Sequence, residues 1–400
     1  MPTYVWKGKN RYGDTVGGER VAASKEELGR LLQKDQISVL SIAPAKGGIA
    51  IPFLKREKVR MKDLAIYSRQ LSVLIDAELP LIQSLGILEE QQKNTYFKNV
   101  IKTVKDDVEA GSTLNQAKRK HPKAFDDLYC NLIASGEQSG SLDIMLRRLA
   151  EFIEKNVRLR AKIKQAMIYP SAIVIFAIVV AIFLLWKVIP VFANIFRDLG
   201  AELPWLTAIV VSLSEFVEKN IFFVVAGLVA AVLAFRYYRS TTPGRWSTDR
   251  MLLKLPIFGP LLYKVAMTRV TRTLATLISG GVPMLEALKI TSTTAGNVII
   301  EKEIVDARKL VSEGKTLSES FKQAGSFPTM MLQMVNVGEA TGTLDEMLTK
   351  LANFYDEEVD NAVSAMLSIL EPILLIFVGG MVGGLVVSMY LPIFSLMQQF

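Results

Sequence analysis

Apolar positions change their period along this chain. At the start YVWKG alternates, Gly13 and the Gly17-Gly18 pair punctuate, and Ser24 with Glu27 forms a capping box ahead of Leu28, Leu31 and Leu32. This predicts a strand, turn, strand, helix, strand unit over residues 3–43, inside a small α+β segment spanning residues 1–45. Residues 46–60, with Gly47, Gly48 and Pro52, read as a linker. From Met61 the period is helical: Leu64, Tyr67, Leu71, Leu74 and Ile75 share one face, and Pro80 is placed to start the next helix.

Two apolar runs, Tyr169–Pro190 and Glu371–Pro392, lie 202 residues apart, each with nineteen residues between its prolines. At about 1.5 Å per residue a helix of that length crosses a hydrocarbon core of about 30 Å. A third run, Ile221–Phe235, is followed by Arg236, which can snorkel, and by Tyr237 and Tyr238, which can anchor at the interface. Leu203–Val217 reads as an interfacial or extracytoplasmic helix, because continuing the span back through Glu218 and Lys219 to Glu215 would carry charge into the bilayer.

The repeat extends well outside the apolar runs. Arg69, Leu71, Leu74, Pro80, Leu81 and Leu85 match Arg272, Leu274, Leu277, Pro283, Met284 and Leu288. GSTLNQA from Gly111 matches GKTLSES from Gly314, with Thr113 and Thr316 as caps and Gln116 and Glu319 completing a capping box. SGEQSGSLDIML from Ser135 matches VGEATGTLDEML from Val337, pairing Gly136, Glu137 and Gly140 with Gly338, Glu339 and Gly342. Two glycines four apart predict a tight turn at positive φ, a structural corner of each bundle, with Ser141 or Thr343 capping the helix that follows. That helix has no internal Gly or Pro before the first proline of the run, so it is expected to feed straight into the membrane.

The fold class predicted is an all-α polytopic membrane protein with two duplicated cytoplasmic helical-bundle domains, three transmembrane helices and the small N-terminal segment. In order these are a bundle over 61–169, a span over 170–191, an extracytoplasmic loop over 192–220, and a span over 221–238. A linker over 239–262, a second bundle over 263–371, a span over 372–394 and an extracytoplasmic tail over 395–400 complete the layout.

A net charge of +8 raises the question of nucleic acid, and the placement of the charges answers against it. Lys155, Arg158, Arg160, Lys162 and Lys164 precede the first run, and Arg236, Arg239, Arg245 and Arg250 follow the second. Basic residues in such places mark the cytoplasmic side, which puts both bundles there and the C-terminus outside. The polar, basic beginning lacks the apolar core of a secretory signal, so the N-terminus is also expected in the cytoplasm. One Cys and one His exclude an intrachain disulfide and a Cys/His zinc site. Gly314-Lys315-Thr316 lacks the rest of a phosphate loop, and no nucleophile, base and acid set is visible. No catalytic, cofactor-binding or metal-binding residue is predicted.

Three groups of residues remain as candidates for function. Ala177 and Ala181 in the first run and Gly379, Gly380, Gly383 and Gly384 in the third have small-residue spacing, which allows the first and third spans to pack closely or the third to pair with a second copy. Pro170, Glu371 and Pro372 stand at the cytoplasmic mouths of the spans. Glu371 is read either as a carboxylate at a helix N-terminus or break before Pro372, or as an acid awaiting a cationic partner. Third, Lys155, Arg158 and Arg160 correspond to Glu357, Glu358 and Asp360, so the two long helices could pair, recognise different partners, or be two solvated faces.

The YVWKG start, SRQL at Ser68–Leu71, the two GExxGxL turns and the YP and EP mouths together resemble the type II secretion system F family. These are inner-membrane platform proteins shared by type IV pilus assembly and general secretion, and the resemblance covers essentially the whole chain. It implies a non-enzymatic role in the bacterial inner membrane, between a cytoplasmic hexameric assembly ATPase and pilin or pseudopilin subunits, among other inner-membrane assembly proteins and as a homo-oligomer. The Trp-containing start resembles the pilus branch, with Glu371 as a possible contact for a pilin's amino terminus. Against a small transporter stand spans without polar groups at mid-membrane; against a membrane-tethered enzyme stands the missing catalytic set.

Overall fold

A computed structural model describes residues 3–9, 15–22, 24–34, 37–44, 59–198 and 204–397. The N-terminal unit holds β1 (Thr3–Lys9), β2 (Thr15–Val21), α1 (Lys25–Lys34) and β3 (Ser38–Pro44). Its strands form one antiparallel sheet in the order β2-β1-β3. The Ser24 hydroxyl accepts the Glu27 amide at 3.2 Å and starts α1, whose Leu28 and Leu32 bury against Tyr4, Trp6 and Ile42. Gly13 and residues 46–58 of the expected linker lie outside the described residues.

The second unit is helical throughout its described residues. A first head is built from α2 (Met61–Asp76), α3 (Leu81–Gln91), α4 (Thr95–Glu109), α5 (Leu114–Arg119) and α6 (Asp127–Ser139). It continues into α7 (Leu142–Phe183), a π-helical turn (Leu184–Val188) and α8 (Ile189–Asp198). After α9 (Trp205–Ser240) and α10 (Thr242–Lys254), a second head repeats the plan with α11 (Phe258–Ser279), α12 (Met284–Thr294), α13 (Val298–Ser312), α14 (Leu317–Ala324) and α15 (Thr329–Thr341). It ends in α16, which runs 54 residues from Leu344 to Met397. One continuous apolar core crosses both heads, including Tyr67, Phe97 and Leu132 from the first and Met267, Leu288 and Phe321 from the second.

The expected turns form, with a different division of labour. Gly140 and Gly342 adopt left-handed φ of 69° and 72°, whereas Gly136 and Gly338 are helical. The latter two are small because the next helix passes over them: a Cβ would stand 3.0 Å from the Leu142 Cα and 2.8 Å from the Leu344 Cα. Ser141 and Thr343 occupy N-cap positions, but the Ser141 hydroxyl makes no cap bond and instead meets Ser139 at 2.6 Å, as Thr343 meets Thr341 at 2.7 Å. Thr113 and Thr316 do cap, each accepting the amide three residues on at 3.2 Å.

Among the described residues three helices are long and apolar enough to cross a membrane, those containing Leu142–Ile195, Thr207–Ser240 and Leu344–Leu391. Pro170 and Pro372 lie inside α7 and α16, so the backbone passes from head to span without the break considered before Pro372, and Glu371 is not at a helix N-terminus. Each head therefore shares one helix with its membrane span.

The stretch expected as an interfacial or extracytoplasmic helix forms a helical segment from Trp205 to Lys219. It meets the following span without a loop, at a kink where Asn220 has non-helical φ of −124° and ψ of 26°. Its first half docks on the far ends of the other spans: Val211 packs with Leu185, Ile189 and Ala193, and the Thr207 hydroxyl donates to the Ser388 carbonyl at 2.7 Å. Ser214 donates to the Leu185 carbonyl. In the π register that carbonyl faces position 190, where proline has no N–H to give, and the serine supplies the missing proton.

Candidate functional site

The candidate site is the pair of stems, the parts of α7 and α16 that lie between the heads and the membrane spans, followed upward to the membrane edge. Each head grips its own stem with an equivalent ion pair. Arg69 on α2 makes a bidentate bond to Glu154 on α7, at 2.7 and 2.8 Å, and the corresponding Arg272 on α11 binds Asp356 on α16. The partner arginine holds the Glu154 carboxyl below its ordinary range, ahead of the opposing effect of burial. Arg272 also donates to the Ala352 carbonyl at 3.2 Å.

The glutamates of the two GExxGxL turns reach across their heads. Glu137 accepts the backbone amides of Leu114 and Asn115 at 2.5 and 3.1 Å, and Glu339 accepts those of Leu317 and Ser318 at 2.6 and 3.0 Å. A carboxylate there neutralises orphan N–H groups at the start of α5 and α14 and complements the positive end of the helix dipole. Local sequence showed only the threonine half of this cap. The glutamate half needs contact over more than twenty residues, and its one sequence signal is that the acid occurs in both copies.

The stems meet each other. Val359, Val363 and Met366 of α16 form an apolar seam with Leu261 and Val265, against which Leu159, Ile163, Ala166 and Met167 of α7 pack. Lys162 of α7 forms an ion pair with Asp360 of α16, and the Lys155 ammonium donates to Asn353 at 3.4 Å. Not all the charged candidates take part. Arg158 is 81% exposed and turns to Glu154 at 4.0 Å, Glu358 pairs with Lys264 of its own head at 2.6 Å, and Glu357 is exposed. Arg160 is exposed and close enough to Arg269 to depress it further, after burial.

Between the stems runs a furrow. A cleft of about 260 Å³ at the junction of the heads shares Lys155 with one of about 460 Å³ beside Asp356 and Asp360. That one shares Gln165 with a third, of about 350 Å³, lined by Tyr169, Pro170, Leu374 and Glu371. Pro170 and Glu371 are thus brought together at the top of the furrow, with Glu371 exposed and Pro372 on the outer surface.

The small-residue positions do not behave alike. Ala177 is buried, and Ala181 is half-buried. Gly379, Gly380, Gly383 and Gly384 are exposed, and a Cβ on any of them meets nothing within 4 Å, so they do not bring the first span against the third. Contact between the outer ends of the spans is made by Leu385 and Ser388 instead. Among the described residues no cluster of three or more His, Cys, Asp or Glu side chains is set to hold a metal ion.

Comparison with known proteins agrees with the duplication. The family model described as type II secretion system (T2SS), protein F, matches twice, over residues 67–190 and 270–392, and the model of that protein's N-terminal domain matches residues 1–43. A type IV pilus assembly protein PilC of Myxococcus xanthus is 43% identical over 396 residues, covering 98% of this chain and 94% of the relative. One from Thermus thermophilus is 44% identical over 402 residues, covering 99% and 98%. A type II secretion system protein F of Pseudomonas aeruginosa is 32% identical over 404 residues, covering 100% and 99%.

Proposed function

Since the chain belongs to the type II secretion system protein F family, we propose that it is the inner-membrane platform of a type IV pilus assembly machine. The observation that carries this choice of branch is the spread of identities: 37–44% to five pilus assembly proteins over 91–99% of this chain, against 30–32% to three secretion proteins over 86–100% of it. In this reading both heads lie in the cytoplasm and offer their surfaces to a hexameric assembly ATPase. The far ends of the spans and the C-terminus lie outside.

Uninterrupted helices support a mechanical role. A displacement applied to a head is carried along α7 or α16 into the bilayer, because no hinge separates head from span and the Arg69–Glu154 and Arg272–Asp356 pairs fix each stem to its head. Extraction of a pilin from the membrane needs such a linkage between a soluble motor and an apolar helix. Glu371, exposed at the head of the furrow, is placed to receive a pilin's cationic amino terminus at the cytoplasmic edge.

Deletion of the gene is expected to abolish surface fibres while leaving the pilin and ATPase present, with fibres restored by the intact gene. Loss of protein secretion with fibres unaffected would instead support the alternative, a type II secretion platform acting on pseudopilins.

A further inference from the structure

We propose that α10 is an in-plane surface helix that docks the second head onto the anionic headgroups of the adjoining leaflet. Both of its ends are tied to the membrane edge. It starts at Thr242, with only Thr241 between it and the end of the span helix α9 at Ser240, and it leads through Ile257 and Phe258 into an apolar cluster with Met366, Leu367 and Leu370, just before Glu371. Its direction follows from its neighbours. The pairs Lys264–Glu358, Thr268–Tyr355 and Arg272–Ala352 show α11 running antiparallel to α16, along the stem. The chain turns through 112° between α10 and α11, so α10 lies nearer the bilayer plane than its normal.

The faces of α10 divide accordingly. Gly244, Thr248 and Asp249 are buried, and Asp249 receives the Val298 amide at 3.1 Å at the start of α13 in the second head. On the opposite face stand Trp246, Arg250, Met251 and Lys254, with Trp246 and Met251 43% and 66% exposed. The Arg250 guanidinium lies 5.0 Å from the Trp246 ring. An aromatic and a thioether flanked by two cations suit a surface that is apolar a few ångströms down and negative at the top, which is an anionic lipid leaflet. Arg236 near the end of α9 adds a further exposed cation, while Arg239 is paired with Asp249 on the buried face of α10 at 3.5 Å.

The test uses the full chain in nanodiscs with Trp246 as the only tryptophan, after Trp6→Phe, Trp186→Phe and Trp205→Phe. In phosphatidylglycerol mixed with phosphatidylcholine, lipid brominated near the glycerol end of its chains is expected to quench Trp246, and aqueous acrylamide to have little effect. Arg250→Gln and Lys254→Gln are each expected to reduce the preference for phosphatidylglycerol by roughly fivefold. Quenching by acrylamide but not by lipid would overturn the proposal, and so would quenching by neither, which would mean that protein covers this face. If the triple substitution does not fold, a spin label on Ser247→Cys gives the same decision: oxygen access above that of a water-soluble nickel complex supports docking, and the reverse overturns it.

Discussion

Lys162 of the first stem is paired with Asp360 of the second, although the repeat places Arg158 opposite Asp360. The partner lies one helical turn further along α7, while Arg158 is largely exposed and 4.0 Å from Glu154, which Arg69 also holds. The two copies are therefore joined by a contact that neither could make with itself. Lys162 and Asp360 are about half exposed, so the pair is worth about 0.2–1 kcal/mol. A double-mutant cycle with Lys162→Asp and Asp360→Lys is expected to show a coupling of that size, the reversed pair recovering much of what either single change loses. Additive effects would remove the pairing.

Glu137→Gln and Glu339→Gln each replace a carboxylate that serves two backbone amides with a weaker acceptor, at a cost of about 1–3 kcal/mol in that head. Hydrogen exchange provides a local readout. The amides of Leu114 and Asn115 are expected to exchange faster in the first variant, and those of Leu317 and Ser318 in the second, with the other head unchanged.

The glycines separate into positions that need glycine and positions that do not need it within one chain. Gly136→Ala and Gly338→Ala force a Cβ against the next helix, and a loss of about 1–3 kcal/mol is expected from thermal unfolding. Gly379→Ala and Gly383→Ala meet only open space and are expected to leave unfolding unchanged. Pairing of third spans across copies, which we propose, would show as weaker cross-linking in Gly383→Leu at unchanged stability.

Lys118 gives the first head a pH dependence that the second lacks at the matching position. It is fully buried, 4.6 to 5.1 Å from the ring centres of Tyr67, Phe125 and Tyr129, and burial lowers its pKa to about 7, with Cys130 and Glu137 opposing. The unfolded chain keeps an ordinary lysine, so between about pH 7 and the ordinary lysine value of 10.5 it binds more protons than the folded head. Stability is expected to rise with pH across that window and to flatten below it. Lys118→Met is expected to remove the slope and to stabilise the head by about 1–4 kcal/mol. Phe321 holds the matching position in the second head and is buried too.

The doubling, the helical periods and the apolar runs were legible because they are local or self-similar: a proline bracket repeated 202 residues later needs no tertiary knowledge. The direct run of each long helix towards the membrane was legible too, but whether Pro372 breaks α16 was not, since whether a proline breaks a helix depends on its surroundings. The docking of Trp205–Lys219 on the other spans was hidden for a related reason. It rests on contacts between residues far apart in the chain, Thr207 with Ser388 and Ser214 with Leu185, which local pattern does not carry. Of the candidate site, the pattern of opposite charge on the stems was visible, but the pairing of Asp360 with Lys162 rather than Arg158 depends on how the two stems face each other, which local sequence does not carry.

Mechanical coupling requires that both heads stand on the same side of the membrane, with one crossing, α9, joining the copies. Substituted-cysteine labelling tests this most directly, using exposed positions Lys93→Cys in the first head and Glu313→Cys in the second, in cells with the outer membrane opened. The account predicts that a membrane-impermeant maleimide labels neither until the inner membrane is permeabilised, and then labels both. Labelling of one head but not the other before permeabilisation would contradict it.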